Sequence, residues 1–228
     1  MKAMILAAGR GERMRPLTDV LPKPLLKVHD KPLIVWHIEN LARAGFKEIV
    51  INIAHLGYKI PEILGDGSAW NLKITYSDEQ DSGALESAGG IIKALPLLGD
   101  EPFLVVNGDI FCDYEFDKNF KLENNLAHLI LVPNPAHNLN GDFGLKDACV
   151  LNKNEMQYTF SGIGYYNPLL FKNLEIKKSA LAPLLREQIK NKNISGELFS
   201  GVWHDIGTPQ RLKEINKYDK ITPTYRAD

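Results

Sequence analysis

The feature that most constrains the fold is a regular alternation of short apolar runs with longer helix-like stretches. Apolar runs of strand length lie at residues 2–8, Glu48–Ile53 and Phe103–Asn107, and segments with helical periodicity, 32–44 and Glu86–Leu98, lie between them. Strands that alternate with helices are typical of a mostly parallel sheet with helices on both faces. The other elements predicted in this half are a helix at 58–64 and strands at 72–77 and Ala127–Val132.

The second half of the chain has a different pattern. Strands are predicted at 141–151 and Gln157–Tyr166, between Asn, Gly and Pro residues, and helices at 179–191 and 208–218. A β-rich insertion after an α/β core is expected to form a lobe over one edge of the sheet. The sequence therefore predicts an α/β fold, a Rossmann-like, mostly parallel mixed sheet flanked by helices, with a small β-rich lobe. The polar tail 221–228 is expected to fray.

Length and charge exclude several classes of protein. The 228 residues fit one large domain, and 27 basic against 28 acidic side chains give a formal net charge of −1. That balance excludes a protein that coats nucleic acid. The two cysteines, Cys112 and Cys149, fit a reducing compartment rather than a disulfide scaffold. No apolar stretch approaches the roughly 20 residues that span a bilayer, so we expect a cytoplasmic protein without a membrane partner.

A glycine loop with several cations directly follows the first predicted strand. Its sequence is Ala7-Ala8-Gly9-Arg10-Gly11-Glu12-Arg13-Met14-Arg15, and Pro22-Lys23-Pro24 comes shortly after it. A dinucleotide fingerprint would need glycine in place of Met14, and the Lys-Ser/Thr pair of a P-loop is absent. Glycines leave backbone N–H groups open to phosphate oxygens, and arginines add forked donors. The loop therefore predicts a phosphate site, with a solvated surface loop as the alternative.

The ordered pattern of this loop carries a family resemblance. Leu6-Ala7-Ala8-Gly9-x-Gly11-x-Arg13-Met14-x-Pro16-Leu17-Thr18, followed by Pro22-Lys23-Pro24, resembles the signature of the sugar-1-phosphate nucleotidyltransferases. The resemblance implies the GT-A-like fold of nucleotide-diphospho-sugar transferases. It implies catalytic roles for Arg13, at the triphosphate, and Lys23, at the sugar phosphate. The nucleotide contacts that it implies, besides those two, are Ala7, Ala8, Gly9, Gly11, Glu12 and Glu86.

Two aspartates are candidate metal ligands. Asp109 follows the strand Phe103–Asn107, and Asp205 lies in Trp203-His204-Asp205-Ile206-Gly207-Thr208. Nucleotidyl transfer brings two polyanions together, and Mg²⁺ held by one or two carboxylates is a common means of offsetting their repulsion. The family resemblance assigns a metal-binding Asp to each of these positions. Without it, each Asp has a turn or helix-cap explanation.

The candidate sugar-binding residues are scattered through the sequence. Asn107 offers an amide and Asp142 a carboxylate to a sugar, while Ser161 and Gly162 lie on a predicted strand of the lobe. Each of them also has a turn or strand-end explanation. The chain is expected to be one nucleotidyltransferase domain over residues 1–228, with a nucleotide-binding core at 1–110 and a sugar-binding part with closing helices at about 111–228.

The resemblance extends over nearly the whole chain and is strongest to the uridylyltransferases that act on N-acetylmuramic acid α-1-phosphate. Its motifs include Leu64-Gly65-Asp66-Gly67, Gly141-Asp142-Phe143 and Ser195-Gly196-Glu197. It implies UTP and a sugar 1-phosphate as substrates, Mg²⁺ as cofactor and a place in peptidoglycan recycling. No hexapeptide repeat for a C-terminal β-helix is present, so a monomer or weak dimer is expected.

Several alternatives stay open at the level of the sequence. Ala88 stands where relatives often have glycine in the segment near the nucleobase, which leaves the base preference open. Mannose 1-phosphate with GTP, or glucose 1-phosphate with dTTP, would use the same fold. A nucleotide-sugar binding protein without catalysis is the alternative of another class. No cationic residue of the second half stands out as a partner for a lactyl carboxylate, and Lys146 and Lys153 fit a solvated surface equally well.

Overall fold

The computed structural model describes residues 1–217, apart from the side chain of Ser82. In this part of the chain the α-helices are α1 (Leu33–Arg43), α2 (Lys59–Leu64), α3 (Glu86–Leu98), α4 (Leu181–Lys190) and α5 (Pro209–Ile215). The strands are β1 (Ala3–Leu6), β2 (Lys27–Val28), β3 (Lys31–Pro32), β4 (Glu48–Ile53), β5 (Lys73–Asp78), β6 (Phe103–Asn107), β7 (Ile110–Cys112), β8 (Ala127–Val132), β9 (Phe143–Lys146), β10 (Cys149–Leu151), β11 (Gln157–Tyr166), β12 (Ile194–Leu198) and β13 (Trp203–Asp205).

The central layer is a nine-stranded sheet in the order β5-β4-β1-β6-β11-β8-β12-β10-β9. Strands β5, β4, β1 and β6 are parallel, as the alternating pattern predicts. Beyond β6 the sheet is mixed, because β11 runs antiparallel to both β6 and β8, while β12 is parallel to β8. The predicted α/β class with a mixed sheet is therefore confirmed, and its parallel part is the half built from the first 110 residues.

Most predicted elements are present, and the differences have local causes. The predicted strand 141–151 is two strands, β9 and β10, because Asp147 and Ala148 adopt φ values of 50° and 59° and form a tight hairpin turn. The short strands β7, β12 and β13 have no counterpart among the predictions. The predicted helix 208–218 is observed as α5, and residue 218 and the tail 221–228 lie outside the described residues.

Apolar side chains fill both faces of the sheet. One cluster packs α1 against β1, β4 and β6, and another packs α3 and α4 against the opposite face. A third, smaller cluster lies under the glycine loop and joins Met14, Phe111, Ile206 and Ile215. Met14 is fully buried there. The residue that breaks the dinucleotide fingerprint therefore anchors the loop to β7 and the segment that leads into α5.

His37 on α1 is buried beneath β7 and gives the fold a pH-dependent stability. Its Nε2 donates to the Ile110 carbonyl at 2.8 Å, and its Nδ1 has no hydrogen-bond partner in the described structure. Burial lowers the pKa of His37 from 6.5 to about 4. The imidazole of His37 becomes protonated near pH 6.5 in the unfolded chain but only near pH 4 in the folded chain. The free energy of unfolding therefore falls as the pH falls from 6.5 towards 4.

We expect this one residue to lower the free energy of unfolding by about 2 kcal/mol between pH 7 and pH 5. Urea unfolding of wild-type protein and of His37→Gln at both pH values measures it. The wild type should lose about that much more stability than the variant on acidification. Equal losses in the two proteins would show that His37 does not titrate as its burial requires.

No helix within residues 1–217 is both long enough and apolar enough to cross a membrane.

Candidate active site

A cavity of about 470 Å³ opens at the carboxyl ends of β1 and β6, where an α/β sheet usually binds its ligands. Leu6 and Asn107, the last residues of these two strands, lie in its wall, as does Asn52 of β4. Ten of the residues singled out from the sequence line this cavity together: Ala7, Ala8, Gly9, Gly11, Glu12, Arg13, Lys23, Glu86, Asn107 and Asp109.

The glycine loop is held in place by its own backbone. Gly11 has φ +67°, and its carbonyl accepts hydrogen bonds from the Met14 N–H and the Thr18 hydroxyl, each at 2.8 Å. A Cβ at Gly11 would lie 2.9 Å from Thr18 Cγ2 and 3.3 Å from Lys23 Cβ. The positive φ of Gly11 and the short distances to Thr18 and Lys23 therefore both require glycine at this position. The glycine loop is thereby kept close to the turn that carries Lys23.

The arginines of the loop differ in what they contact. Arg15 donates to Asp19 at 2.7 Å and does not line the cavity. Arg10 lines the cavity but lies 3.6 Å from the carboxylate of Glu12. Arg13 also lines the cavity, is exposed, and makes no hydrogen bond or ion pair with any residue of the described chain. Its guanidinium is therefore available to an anionic ligand.

Lys23 and Asp109 form an ion pair on the cavity wall. Lys23 Nζ donates to Asp109 Oδ2 at 2.7 Å, and only 8% of Lys23 is exposed. Lys23 lies on the turn Lys23–Leu25, and Asp109 follows β6. The pair balances the charge of a nearly buried ammonium. It also places a cation and an anion side by side in the cavity that Arg13 lines.

Asp205 is brought close to Asp109 by the backbone but not into the same cavity. Asp205 pairs with Ile110 across β13 and β7, and the Ile206 N–H donates to the Asp109 carbonyl at 2.9 Å. The carboxylate of Asp205, however, lines a second cavity of about 670 Å³. There its Oδ2 accepts from Arg211 Nη1 at 2.6 Å and lies 3.2 Å from His137 Nε2. The predicted metal pair is thus split between neighbouring cavities.

The donor set at these two aspartates fits a hard cation. Carboxylate oxygens are the ligands that Mg²⁺ prefers, and it usually takes one or two of them, with water and substrate phosphates completing the shell. Oδ1 of Asp205 makes no hydrogen bond with the described residues. Within residues 1–217, no three His, Cys, Asp or Glu side chains form a metal-binding group of their own. A cation here would therefore rely on the substrates for ligands.

Asn52 and Glu79 form a buried relay behind the cavity that the sequence predictions missed. Asn52 Oδ1 accepts from the Ala7 N–H at 2.7 Å, and Asn52 Nδ2 donates to Glu79 Oε1 at 2.7 Å. Glu79 Oε2 accepts from the Leu85 N–H at 2.8 Å, and Glu79 is fully buried. The relay links the glycine loop to the start of α3. An asparagine within Ile-Val-Ile-Asn-Ile was the available signal, because strand interiors seldom bury an amide without a partner.

Breaking this relay should destabilise the protein. Glu79→Leu would leave Asn52 Nδ2 and the Leu85 N–H buried without these acceptors, and we expect the free energy of unfolding to fall by about 2–4 kcal/mol. Glu79→Gln, which keeps the size and one acceptor, should lose roughly half of that. Urea unfolding measures both, with Glu101→Leu at an exposed position as control. A Glu79→Leu loss as small as that of the control would contradict the relay.

The predicted sugar contacts are only partly brought together. Asn107 lines the first cavity, and Gly162 packs against it, since a Cβ at Gly162 would lie 2.6 Å from Asn107 Nδ2. Ser161 is buried and its hydroxyl accepts from the Ile163 N–H at 3.1 Å. The carboxylate of Asp142 accepts from the Phe160 N–H at 2.8 Å, which holds the loop before β9. Ser161, Gly162 and Asp142 do not line the cavity.

The cavity is also lined by residues that were not predicted from the sequence to belong to the site. Ser87 follows Glu86 at the start of α3, and Lys178 lies 3.7 Å from the Glu86 carboxylate. Gly207 closes the wall beside Asp109. Lys178 comes from a loop more than 90 residues after Glu86, a pairing that depends on the tertiary fold and has no signal in the local sequence.

Comparison with known proteins identifies the family of this chain. The family model described as nucleotidyl transferase matches residues 2–221. The chain belongs to this nucleotidyl transferase family. The chain is 54% identical over 225 residues to the N-acetylmuramate alpha-1-phosphate uridylyltransferase of Neisseria meningitidis serogroup B, which covers 94% of this chain and 96% of the relative. The expected superfamily is thereby confirmed.

A more distant relative shares part of the sequence, and a solved structure shares the fold. The mannose-1-phosphate guanyltransferase of Hypocrea jecorina is 28% identical over 92% of this chain, which corresponds to 62% of that relative's length. A crystal structure from Bacillus anthracis, assigned as a glucose-1-phosphate thymidylyltransferase and complexed with sucrose, superposes with a TM-score of 0.82. It covers 95% of this chain and 94% of its own, at 23% identity, and supports the fold alone.

Proposed function

We propose that this nucleotidyltransferase is a uridylyltransferase that converts UTP and N-acetylmuramic acid α-1-phosphate to the UDP-sugar and pyrophosphate. The observation that carries the proposal is the 54% identity to a relative of that name over nearly the full length of both chains. The cavity supports the same chemistry, since it places the glycine loop, Arg13 and the Lys23–Asp109 pair around one space.

The reaction is a single displacement at phosphorus. An oxygen of the sugar phosphate forms a bond to the α-phosphorus of UTP, while the bond from that phosphorus to the α–β bridging oxygen breaks and pyrophosphate leaves with the electron pair. A phosphate dianion is already nucleophilic, so no general base is needed. The protein accelerates the step by positioning two anions and by stabilising charge as it moves to the leaving group.

Two cations of the cavity, Arg13 and Lys23, have roles in this proposal. Arg13 contacts the β- and γ-phosphates and stabilises the charge of the departing pyrophosphate. Lys23 contacts the sugar phosphate, and its position beside Asp109 fixes the ammonium at one wall of the cavity. The backbone at Ala7, Ala8, Gly9, Gly11 and Glu12 surrounds the phosphates, and Glu86 lies at the nucleoside end. Asn107 binds the sugar, with Gly162, Ser161 and Asp142 shaping that side.

Asp109 and Asp205 are the proposed ligands of Mg²⁺. The ion would supply charge neutralisation between the triphosphate and the sugar phosphate. The chain's own contribution is two carboxylates on the adjacent segments that follow β6 and end β13, held by the bond from Ile206 N–H to the Asp109 carbonyl.

We further propose a single-domain organisation for the chain. Residues 1–228 form one domain, with the nucleotide bound by residues 1–110 and the sugar by the rest. The continuous sheet across β6 and β11 supports this single-domain arrangement. We also propose that the enzyme acts in the cytoplasm as a monomer or weak dimer, within peptidoglycan recycling.

Pyrophosphate release from a matrix of substrates tests the proposed function. UTP, GTP, dTTP and ATP are each paired with the α-1-phosphates of N-acetylmuramic acid, N-acetylglucosamine, mannose and glucose. We expect the highest kcat/KM for UTP with N-acetylmuramic acid α-1-phosphate. A preference for GTP with mannose 1-phosphate, or for dTTP with glucose 1-phosphate, would overturn the substrate assignment. Nucleotide binding without pyrophosphate release from any pair would indicate a binding protein.

A further inference from the structure

We propose that Arg211 and His137 form a carboxylate-binding subsite that recognises the lactyl group of N-acetylmuramic acid; this inference rests on the proposed function. N-acetylmuramic acid differs from N-acetylglucosamine by a lactyl ether on O3, which adds a carboxylate. A transferase that prefers the muramic substrate gains from a cation within reach of this group. Four cations of the described residues line the first cavity: Arg13 and Lys23 are assigned to the phosphates, Arg10 lies 3.6 Å from the Glu12 carboxylate, and Lys178 lies 3.7 Å from the Glu86 carboxylate.

The second cavity adjoins the first at Gly207. Gly207 lines the first cavity, whereas its neighbours Asp205, Ile206 and Thr208 line the second. A Cβ at Gly207 would lie 2.8 Å from Arg211 Nη1 and 2.8 Å from Asp205 Oδ1. Gly207 therefore lies between the first cavity and the Arg211 guanidinium, and a side chain at this position would collide with Arg211 Nη1.

The sugar side of the first cavity is also connected to the second. Asn107 lines the first cavity and packs against Gly162, and the Ser161 carbonyl next to it accepts from Trp203 Nε1 at 2.9 Å. Trp203 lines the second cavity. Trp203 therefore lies between the second cavity and the segment that packs against Asn107.

The Arg211 guanidinium has hydrogen-bond donors that the described residues do not use. Its Nη1 donor bonds Asp205, and the Nε and Nη2 donors make no hydrogen bond with residues of the described chain. The side chain is 23% exposed and opens into the cavity. A guanidinium presents its donors as a planar fork that matches a carboxylate, so Arg211 can hold Asp205 on one edge and a ligand carboxylate on another.

The other charged groups of the cavity are compatible with this role. His137 lies 3.2 Å from the same oxygen of Asp205 that Arg211 contacts, so it adds a second nitrogen donor at this point. Glu214 also lines the cavity, and its carboxylate accepts from Gln210 at 2.9 Å. Asp205 is already paired with the Arg211 guanidinium, which reduces its repulsion of an incoming carboxylate.

The test compares two sugars that differ by the lactyl group. Steady-state kinetics are measured for wild type, Arg211→Gln, Arg211→Lys and His137→Asn with UTP and the α-1-phosphates of N-acetylmuramic acid and N-acetylglucosamine. Lys213→Gln, which removes an exposed cation from the same helix, is the matched control. Because Asp205 is needed equally for both sugars, any effect of Arg211 on Asp205 cancels in the ratio of the two substrates.

We expect Arg211→Gln to raise KM for the muramic substrate by roughly 10–100-fold, the range for a hydrogen bond to a charged group. KM for the glucosamine substrate should change less than about threefold. Arg211→Lys should recover part of the loss, His137→Asn should show a smaller shift in the same direction, and Lys213→Gln should resemble wild type.

Two outcomes separate the subsite from the proposed function. A wild-type preference for the muramic substrate that persists in folded Arg211→Gln, or equal losses for both sugars, would overturn the subsite and leave the function standing. A wild type that uses neither sugar, or prefers N-acetylglucosamine 1-phosphate, would overturn the proposed function and the subsite with it. Thermal unfolding of each variant establishes that it is folded.

Discussion

Arg13→Ala should lower kcat by roughly 10²–10³-fold while leaving the free energy of unfolding nearly unchanged. Arg13 is exposed, lines the cavity and makes no hydrogen bond or ion pair with the described residues, so its removal leaves no polar group unpaired. In the proposed mechanism its guanidinium stabilises charge on the departing pyrophosphate. That interaction strengthens as the bond breaks and therefore acts on kcat more than on KM.

Arg15→Ala is the matched control for this prediction. Arg15 lies two residues away in the same loop, but its guanidinium bonds Asp19 and does not reach the cavity. Its removal should change kcat less than about threefold because the side chain does not line the cavity, and it should change the free energy of unfolding little because exposed ion pairs of this kind contribute about 0–1 kcal/mol. Single-turnover measurements separate chemistry from substrate binding. Equal effects of the two substitutions would show that the loop acts only through its net charge.

Lys23→Met should lower kcat/KM by roughly 10³-fold and Asp109→Asn by roughly 10²–10³-fold. Lys23 is the buried cation of the cavity and Asp109 its partner at 2.7 Å, so each substitution leaves the other charge unpaired. Lys23→Met removes the contact to the sugar phosphate. Asp109→Asn keeps the shape of the side chain but removes the charge that fixes the ammonium and that is proposed to bind Mg²⁺.

The double variant shows whether Lys23 and Asp109 act as a unit. If they do, the combined loss should be well below the product of the two single losses, because either substitution already disables the pair. Thermal unfolding of all three variants controls for folding. Losses that multiply without coupling would mean that the two residues act independently. A single variant within about threefold of wild type would remove that residue from the mechanism.

Local sequence was sufficient to predict the strands and helices in the parallel half of the fold. Strands β4 and β6 and helix α3 were predicted with the bounds that the structure has, because their apolar periodicity agrees with their burial. The short strands β7 and β13 were not predicted. They are three residues each and form through pairing with each other, nearly a hundred residues apart, so nothing in either segment alone indicates a strand.

The residues of the candidate site likewise include some that local sequence predicts and others that depend on tertiary packing. The glycine loop and Asp109 were predicted to lie at one site because the loop follows β1 directly and Asp109 comes two residues after the end of β6, at the carboxyl ends of two strands. Asp205 was identified, yet its carboxylate faces Arg211 in the second cavity, which only the packing of α5 determines. Arg211 itself lies on a short surface helix, where an arginine gives no local signal of a site. Glu79 was missed because its burial depends on space left by helix α3.

The measurement that most directly tests the central claim is ³¹P NMR of the protein with UTP, N-acetylmuramic acid α-1-phosphate and Mg²⁺. We predict that the monoester resonance of the sugar phosphate is replaced by the two coupled resonances of a diphosphate diester, with free pyrophosphate in equal amount. UMP with pyrophosphate and an unchanged sugar phosphate, or a spectrum that does not change while the nucleotide is bound, would contradict uridylyl transfer to this sugar.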